Sequence, residues 1–459
     1  MTEPKKNGVY ELDITGYTAE GLGVARLDGR VIFIPNTIRD ERWQVQLLKI
    51  NKNVAWGRGV KPVMESPCRV PSDCPHSGPC GGCQFRHMDY KEELEAKRQR
   101  VEDALRRIGG VDIAVDTIHG AQETHRYRNK VQFPVARGKD GVRVGLFRAR
   151  SHDVIDVADC LLQSEAANRL GRELKRWMER GSVPAYDEKT GKGLVRHLYV
   201  RTNRAGESLV CLVVNGKKLP DEPGLVNALR ACDPGLVGVV LNRNEMDTNV
   251  ILGDSYRTLW GRDWLEEELC GLMFRLSVPS FFQINREQTE VLYSRALDFA
   301  GLTGKETVLD LYCGIGTISL TMAKKAGKVI GAEIVSEAIE DAKENAKRNG
   351  IENVEFFCGD AGEIAYKLAI DGVRPAVICV DPPRKGLVPG VTDILADMAP
   401  ERIVYVSCDP ATLARDVKLL AQRGYLVKKA EAVDLFPRTQ HVESVVLLER
   451  MSGNERKGT

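Results

Sequence analysis

The chain contains no long hydrophobic segment and no apolar region at its N-terminus. No run of apolar residues reaches the ~18 residues that a membrane-spanning helix needs. The opening residues, MTEPKKNG, also lack the apolar core of a secretion signal. We therefore expect a cytoplasmic protein that makes no contact with a membrane. In that reducing compartment the 12 cysteines are expected to act as free thiols, metal ligands or catalytic groups rather than as disulfides.

Net charge is nearly absent as well, at +2 for 459 residues, so the total charge says little about partners. The distribution of charge says more, because residues 125–150 contain a single acid, Asp140. The cations of the same segment are Arg126, Arg128, Lys130, Arg137, Lys139, Arg143, Arg148 and Arg150. Tyr127 and Phe147 lie among them. Cations neutralise phosphates and aromatic rings stack on bases, so the segment predicts an RNA-binding surface.

Three stretches of the chain differ in composition and in the spacing of their apolar residues. Residues 1–65 predict a small five-stranded, OB-like β-barrel with a hairpin turn at Asp28-Gly29. Residues 66–279 predict a central β-rich α+β domain that contains one clear helix. Residues 280–459 alternate strands and helices, which is typical of a doubly wound, Rossmann-like α/β domain. We therefore expect a multidomain protein with three domains.

A loop rich in proline and glycine contains four cysteines at high density. They are Cys68, Cys74, Cys80 and Cys83. A tetrahedral zinc site and an iron–sulfur cluster both bind four thiolates, so the loop predicts a metal site without deciding between the two. The Cys-x3-Cys-x2-Cys spacing of radical S-adenosylmethionine enzymes is absent, which argues against that class of enzyme.

The segment TVLDLYCGIGTISL predicts a strand, a glycine turn and a helix, and Glu333 ends the following strand about twenty residues later. This arrangement is typical of a nucleoside-binding site. The residue at the third glycine position of the NAD fingerprint is Ser319, which argues against NAD. The last two predicted strands are too close in sequence for an intervening helix, so the final strand should be antiparallel, as in S-adenosylmethionine-dependent methyltransferases.

The stretch IVYVSCDPATLAR predicts a buried strand followed by a helix that is capped by Asp409 and has Pro410 as its first residue. Cys408 lies between the two. A helix N-terminus favours the thiolate, so Cys408 is a candidate nucleophile, although a small buried thiol is the alternative. In the segment VDPPRKG, Arg384 replaces the aromatic residue that amine methyltransferases use, which argues against an exocyclic amine as substrate.

Taken together, six motifs resemble the RNA (uracil-5-)-methyltransferase family. They are QIN (283–285), DLYCGIGT (310–317), AEI (332–334), DPPRKG (381–386), SCDP (407–410) and HVESV (441–445). The segment TAEGLGVARLDG resembles the opening turns of the TRAM domain. With the barrel and the cysteine loop included, the chain is most similar to the bacterial branch that acts on 23S ribosomal RNA. Relatives that act on the transfer RNA T-loop commonly lack both features.

The resemblance implies a role for individual residues. Contacts to S-adenosylmethionine are implied for Gln283, Tyr312, Glu333 and Asp381, with Asp360 as a further candidate near the adenine. Cys408 matches the nucleophile and Glu443 matches the base that removes a proton. The ligands of a [4Fe–4S] cluster are matched by Cys74, Cys80, Cys83 and Cys160. Cys68 lies outside the family pattern, so zinc stays open as an alternative.

Other functions remain as alternatives at this point. Within the family, the transfer RNA T-loop is the second candidate substrate. Outside it, the cysteines and the glycine turn are compatible with an iron–sulfur NAD oxidoreductase, and the barrel with the basic segment is compatible with a non-catalytic RNA-binding protein. RNA is the expected partner, and no feature of the sequence indicates an obligate protein partner.

Overall fold

The structure, a computed structural model, describes residues 4–451. Its N-terminal part is one sheet of six strands, β1 (Val9–Asp13), β2 (Gly16–Tyr17), β3 (Gly23–Leu27), β4 (Arg30–Ile34), β5 (Arg42–Ile50) and β6 (Val54–Met64). The strands pair in the order β1-β5-β6-β4-β3-β2 and enclose a separate small core in which Ala25, Ile32 and Val45 are fully buried. The sequence predicts five strands, and the additional one is the two-residue β2, which pairs with the start of β3.

The turn between β3 and β4 has the backbone conformation that its sequence predicts. Asp28 and Gly29 are the two central residues, with φ angles of 47° and 78°. A two-residue hairpin turn needs positive φ at both positions, which glycine adopts freely and aspartate tolerates. The predicted hairpin is therefore confirmed, and pairs from Gly23↔Ile34 to Leu27↔Arg30 define its register.

The cysteine-rich loop leads into helix α1 (Tyr90–Ala104), which ends in a π-helical turn over Leu105–Gly109 and is followed by the short strand β7 (Thr117–His119). The segment DYKEELEAKRQRVEDALRR predicts a charged helix whose charges lie mostly on a solvated face, and that prediction is wrong for Glu93 and Lys97. Both side chains are buried, and Lys97 Nζ lies 2.7 Å from a carboxylate oxygen of Glu93 and 2.7 Å from one of Asp434.

The central part is a seven-stranded sheet with two helices on one face. Its elements are β8 (Lys130–Gly138), β9 (Gly141–Phe147), β10 (Val154–Asp156), α2 (Glu165–Arg180), β11 (Val195–Thr202), β12 (Ser208–Val214), α3 (Glu222–Cys232), β13 (Leu236–Arg243) and β14 (Ser255–Gly261). The strand order is β10-β9-β8-β11-β12-β13-β14. Helix α2 is confirmed, whereas α3 was not predicted, because Pro220, Pro223 and Gly224 around its start are typical of a loop.

A hairpin of β15 (Trp264–Leu269) and β16 (Leu272–Ser277) precedes the C-terminal part, which alternates helices and strands. These elements are α4 (Arg286–Ala300), β17 (Thr307–Leu311), α5 (Thr317–Ala323), β18 (Lys328–Glu333), α6 (Ser336–Arg348), β19 (Val354–Cys358), α7 (Ala361–Ile370), β20 (Val377–Val380), α8 (Val391–Met398), β21 (Arg402–Ser407), α9 (Pro410–Gln422), β22 (Tyr425–Val433) and β23 (Glu443–Arg450). Among the described residues, no helix combines the length and the apolar character needed to cross a membrane.

The C-terminal sheet has eight strands in the order β19-β18-β17-β20-β21-β23-β22-β7. Strand β23 runs antiparallel to both of its neighbours, β21 and β22, which confirms the predicted antiparallel final strand. The parallel strands β17, β18, β20 and β21 therefore end at one edge of the sheet, and β23 begins at that same edge. In open α/β sheets, ligands bind outside the carboxyl ends of the strands, so this edge is the place to look for a site.

Candidate active site

Cys408 lies between the end of β21 and the first turn of α9, as the sequence predicts. The Asp409 side chain caps α9 by accepting hydrogen bonds from the backbone N–H groups of Ala411 and Thr412, at 2.9 and 3.0 Å. The backbone N–H of Asp409 in turn donates to Ser407 Oγ at 3.1 Å. The strand end and the capped helix thus hold the half-buried thiol at the carboxyl edge of the sheet.

The register of β21 and β23 brings Cys408 and Glu443 together. Ser407 and Ser444 form the last pair between β21 and β23. If the same register continues by one residue, Cys408 lies opposite Glu443. Facing residues of an antiparallel pair have Cα atoms ~5 Å apart and side chains on the same face. Glu443 is 2% exposed, and among residues 4–451 its Oε2 has no hydrogen-bond partner. The continued register and the effect of the Glu443 charge on the Cys408 thiol therefore place the two groups close together at the sheet edge.

Negative groups concentrate around this pair. Burial, followed by the charges of Glu443 and Asp381, raises the pKa of the Cys408 thiol to about 12. Burial and the charge of Asp381 raise the pKa of Glu443 well above its ordinary value. Burial alone raises the pKa of Asp381 to about 7. The guanidinium of Arg384 acts in the opposite direction on the pKa of both Cys408 and Glu443.

The sequence predicts that the N-terminus of α9 favours the thiolate, whereas the surroundings of Cys408 in the structure act in the opposite direction. The first free N–H groups of the helix are already bonded to the Asp409 carboxylate, whose charge also raises the pKa of Cys408. Burial and the neighbouring acidic groups oppose the helix dipole, which is worth only ~1 kcal/mol. These surroundings favour the protonated form of the thiol.

The glycine turn after β17 binds the carboxylate at the end of β18. The Gly314 N–H donates to Glu333 Oε2 at 3.2 Å, and the Val335 N–H donates to Glu333 Oε1 at 3.0 Å. Gly316 has a φ of 83° and occupies the N-cap of α5, a conformation that favours glycine. Glu333 thus lies beside the glycine turn at the carboxyl edge, where an acidic residue binds ribose hydroxyls in nucleoside-binding sheets.

Three of the four other predicted cofactor residues border the same edge. Tyr312 and Asp381 directly follow β17 and β20, and Asp360 follows β19 and caps the N-terminus of α7. Gln283 is buried just before α4, and its backbone oxygen accepts a hydrogen bond from Asn129 Nδ2 at 2.8 Å. Burial raises the pKa of Tyr312 to about 12, and the backbone of Val388 acts on this pKa in the opposite direction.

The predicted metal ligands divide into two groups. One cavity of about 50 Å³ is lined by the free thiols Cys74, Cys80, Cys83 and Cys160. Cys68 packs elsewhere, in an apolar cluster with Ile38, Phe85 and Met88. Over residues 4–451, no group of three or more His, Cys, Asp or Glu side chains is close enough to hold a single metal ion. Four soft donors around one cavity are the donor set that either a thiolate-bound zinc ion or an iron–sulfur cluster uses.

The basic segment predicted to bind RNA is only partly on the surface. Tyr127 is buried and its hydroxyl donates to Pro437 O at 3.0 Å, so its ring is not available to stack on a base. Arg126 Nη1 lies 2.7 Å from an Asp159 carboxylate oxygen. The RNA-binding prediction is therefore wrong for Tyr127, because the segment joins the central sheet to the C-terminal part. Arg148 remains exposed.

Helix α1 contributes a residue that the sequence did not indicate. Arg100 Nη1 donates to Gln440 O at 2.7 Å, and the charges of Asp409 and Cys408 act on its guanidinium. Arg100 also lines a groove of about 520 Å³ between the N-terminal barrel and α1, together with Arg26 and Arg107. Asp409, next to Cys408, lies at one side of this groove. No local signal identifies Arg100, because its partners are distant in sequence.

Comparison with known proteins identifies both parts of the chain. Residues 89–451 match the family model described as tRNA (Uracil-5-)-methyltransferase, and residues 5–60 match the TRAM domain. An uncharacterized RNA methyltransferase of Clostridium tetani is 45% identical over 445 residues, which is 97% of each chain. A second one, from Halalkalibacterium halodurans, is 43% identical over 446 residues, again 97% of each chain.

A solved structure has the same architecture. The Pyrococcus abyssi tRNA (uracil-54, C5)-methyltransferase, in complex with S-adenosyl-L-homocysteine, superposes with a TM-score of 0.77 and 27% identity. The match covers 96% of this chain and 100% of the other. A non-catalytic RNA-binding protein and an NAD oxidoreductase are therefore excluded. The chain belongs to the tRNA (uracil-5-)-methyltransferase family, and it is an S-adenosylmethionine-dependent RNA (uracil-5-)-methyltransferase with an N-terminal TRAM domain.

Proposed function

We propose that this protein methylates carbon 5 of a uridine in 23S ribosomal RNA, with Cys408 as the nucleophile and Glu443 as the base. The observation that carries the residue assignment is the facing position of the two side chains at the carboxyl edge of the sheet. The reaction needs a sulfur nucleophile and a carboxylate beside the same pyrimidine ring, and few positions in a fold place both on one face.

Each residue type follows from the chemistry of uracil. Carbon 5 is too weak a nucleophile to accept a methyl group directly. The Cys408 sulfur bonds to carbon 6, and the ring becomes an enolate whose carbon 5 is nucleophilic. S-adenosylmethionine supplies a methyl group on a positively charged sulfur, so carbon 5 bonds to the methyl carbon as the sulfur–methyl bond breaks. Glu443 then takes the proton from carbon 5, and the released electron pair expels the Cys408 thiolate.

The raised pKa values fit these roles. A carboxylate with a raised pKa is a stronger base, which suits Glu443 to removal of a carbon-bound proton. Cys408 has to lose its own proton as it adds to the ring, and the neighbouring Asp381 carboxylate, with a pKa of about 7, is the acceptor. Arg384 supports both ionised forms, since it lowers the pKa of Cys408 and of Glu443.

Binding of the methyl donor is assigned to Gln283, Tyr312, Glu333 and Asp381, with Asp360 beside the adenine of the donor. Support comes from the location of Tyr312, Glu333 and Asp381 at the edge where β17, β18 and β20 end. Glu333 is suited to bind the ribose hydroxyls. Gln283 is assigned from the family resemblance.

A [4Fe–4S] cluster is assigned to Cys74, Cys80, Cys83 and Cys160. The assignment is supported by four free thiols around one cavity and by the separate location of Cys68. Iron, sulfide and zinc analysis of anaerobically purified protein, together with its visible absorption spectrum, tests it. Stoichiometric zinc with no visible absorption would contradict the assignment.

Three domains, 1–65, 66–279 and 280–459, are assigned to RNA binding, cluster binding and methyl transfer. The three large sheets support this division, although β7 pairs with β22 and so adds a strand from the central part to the C-terminal sheet.

The groove between the barrel and α1 is assigned to RNA, because it contains Arg26, Arg100 and Arg107 and reaches Asp409. The target base has to leave its stack to reach Cys408, at a cost of a few kcal/mol, which favours a loop in the RNA.

The transfer RNA T-loop is the second candidate substrate, and the likeness to the Pyrococcus abyssi tRNA (uracil-54, C5)-methyltransferase favours it. The cysteine loop and the TRAM domain favour 23S ribosomal RNA through the family resemblance alone, since the match to the Pyrococcus abyssi tRNA enzyme extends over 96% of this chain. Mass spectrometric mapping of 5-methyluridine in both RNAs, from cells with and without the gene, tests the choice. Loss of the modification from transfer RNA alone would overturn the 23S assignment.

The Cys408→Ala variant tests the nucleophile. Wild-type protein should form a stable covalent adduct with RNA that contains 5-fluorouridine. Carbon 5 of this base carries fluorine instead of hydrogen, so the base has no proton to remove and Cys408 is not released. The variant should still bind the RNA and should form no adduct on a denaturing gel. An adduct that persists in the variant would remove Cys408 from its role.

A further inference from the structure

The connection between β22 and β23, residues 434–442, leads directly into Glu443. It contains no strand or helix, and yet none of its residues is exposed. Glu443 itself has no hydrogen bond on Oε2 within the described part of the chain. No side-chain partner orients that oxygen. The backbone of Glu443 is held on one side by its pairing with Val433 in β22 and on the other by residues 434–442, which lead into it.

Arg438 is the most constrained residue of this connection. Its carbonyl oxygen accepts two hydrogen bonds, from the backbone N–H groups of Gln84 at 3.0 Å and Phe85 at 3.1 Å. Its own N–H donates to Glu93 Oε1 at 2.6 Å. Arg438 has a φ of 72°, a conformation that costs a non-glycine residue of order 1 kcal/mol or more and persists only where surrounding contacts enforce it.

Gln84 binds the same connection a second time, nearer to Glu443. Its side-chain Oε1 accepts a hydrogen bond from the Gln440 N–H at 3.3 Å, and Arg100 Nη1 donates to Gln440 O at 2.7 Å. The Gln84 Nε2 also donates to Gly81 O at 2.9 Å within the cysteine loop. A single glutamine thus joins the cysteine loop to Arg438 through its backbone and to Gln440 through its side chain.

We propose that Gln84 and Arg438 are positioning residues for the base, so that the cysteine loop sets the place from which Glu443 removes the proton. The proposal rests on the function proposed above, in which Glu443 acts on carbon 5. Gln84 directly follows Cys83, so any displacement of the loop that carries three of the four thiols moves both contacts at once. A shift of ~1 Å at a reacting group is enough to lower a rate ~100-fold.

The effect should be confined to one step of the reaction. Addition of Cys408 and transfer of the methyl group do not use Glu443, whereas release of the product does. A displaced Glu443 should therefore leave the first two steps unchanged and slow only the removal of the proton from carbon 5. General damage to the fold would slow every step together, because Cys408 and the donor-binding residues lie on the same sheet.

The test compares full-length Gln84→Ala with Gln84→Glu, which keeps the acceptor oxygen for Gln440. The control is Gln122→Ala, an exposed glutamine for which the structure shows no hydrogen bond. In vitro transcribed 23S ribosomal RNA is the probe, with 5-fluorouridine to measure adduct formation and with [5-³H]uridine to measure proton release. Each variant is assayed by denaturing gel and by tritium release.

For Gln84→Ala we expect wild-type rates of 5-fluorouridine adduct formation, ~10-fold slower tritium release and a methylated covalent complex that accumulates on unmodified RNA. Gln84→Glu should restore tritium release, and Gln122→Ala should match the wild type. Equal slowing of both assays, or unchanged tritium release, would overturn the positioning role. If Glu443→Gln releases tritium at the wild-type rate, the proposed function itself fails, whatever the Gln84 variants do.

Discussion

Replacing Glu443 by glutamine tests the site most directly, because the side chain keeps its size and loses only its ability to ionise. Glu443 is 2% exposed, and burial and Asp381 raise its pKa well above its ordinary value. A carboxyl pKa that is higher in the folded state than in the unfolded state lowers stability as the pH rises above the unfolded value of ~4. The glutamine side chain does not ionise, so the variant does not lose this stability as the pH rises.

The Glu443→Gln variant should therefore be more stable than the wild type at pH 8, and the difference should be smaller at pH 5. A raised carboxyl pKa costs ~1.4 kcal/mol for each pH unit between the unfolded and the folded pKa, so we expect a gain of at least ~1 kcal/mol in the free energy of unfolding at pH 8. Urea unfolding at the two pH values measures it. Glu449→Gln, at the other end of the same strand and half-buried, is the matched control and should show no gain.

The activity of the Glu443→Gln variant should fall, although its stability rises. General base catalysis typically contributes ~100-fold to ~10,000-fold, so turnover should fall by that factor while the Cys408 addition and the methyl transfer continue. Methyl-labelled donor should then reveal a methylated RNA–protein complex on a denaturing gel. Normal turnover, or loss of turnover without the complex, would refute the assignment of Glu443 as the base.

Further predictions concern buried charge and the cysteines. Lys97→Met should destabilise the protein by ~3–5 kcal/mol in urea unfolding, because it removes the ammonium between the buried Glu93 and Asp434 carboxylates and leaves Glu93 with Arg438 alone; a loss below ~1 kcal/mol would contradict this. Asp381→Asn should abolish methylation and raise stability by up to ~4 kcal/mol at pH 8, since the folded pKa of about 7 makes the wild type lose ~1.4 kcal/mol of stability per pH unit between pH ~4 and ~7. Unchanged stability across that range would argue against the raised pKa. Cys83→Ser should lower iron content and visible absorption, whereas Cys68→Ser should change neither; equal losses would bring Cys68 into the ligand set.

Features that depend on neighbours within a few residues were predictable. The Asp409 and Asn285 side chains cap their helices as expected, because each accepts a hydrogen bond from a backbone N–H two or three residues later. The turn at Asp28-Gly29 forms because its two residues adopt positive φ. The antiparallel final strand follows from a connection too short for a helix.

Features that depend on distant partners were not predictable. From the sequence, Lys97 is predicted to be one charge on a solvated helix face. In the structure it is buried because it pairs with Asp434, which is 337 residues away in sequence. From the sequence, Tyr127 is predicted to be an exposed ring in a basic segment. In the structure it is buried and its hydroxyl donates a hydrogen bond to Pro437 O, a contact that the sequence does not indicate. Helix α3 was missed because proline and glycine near its start dominate its local signal.

The amino-acid order alone determined the caps, the turns, the alternation of strands and helices and the motifs that identify the reaction, since all of these depend on short-range geometry. Tertiary structure decided that Cys408 and Glu443 lie close together, that four thiols share one cavity and that burial and charge raise the pKa of the Cys408 thiol. These depend on strand register and on burial and charge summed over the whole site, and residues far apart in sequence contribute to both.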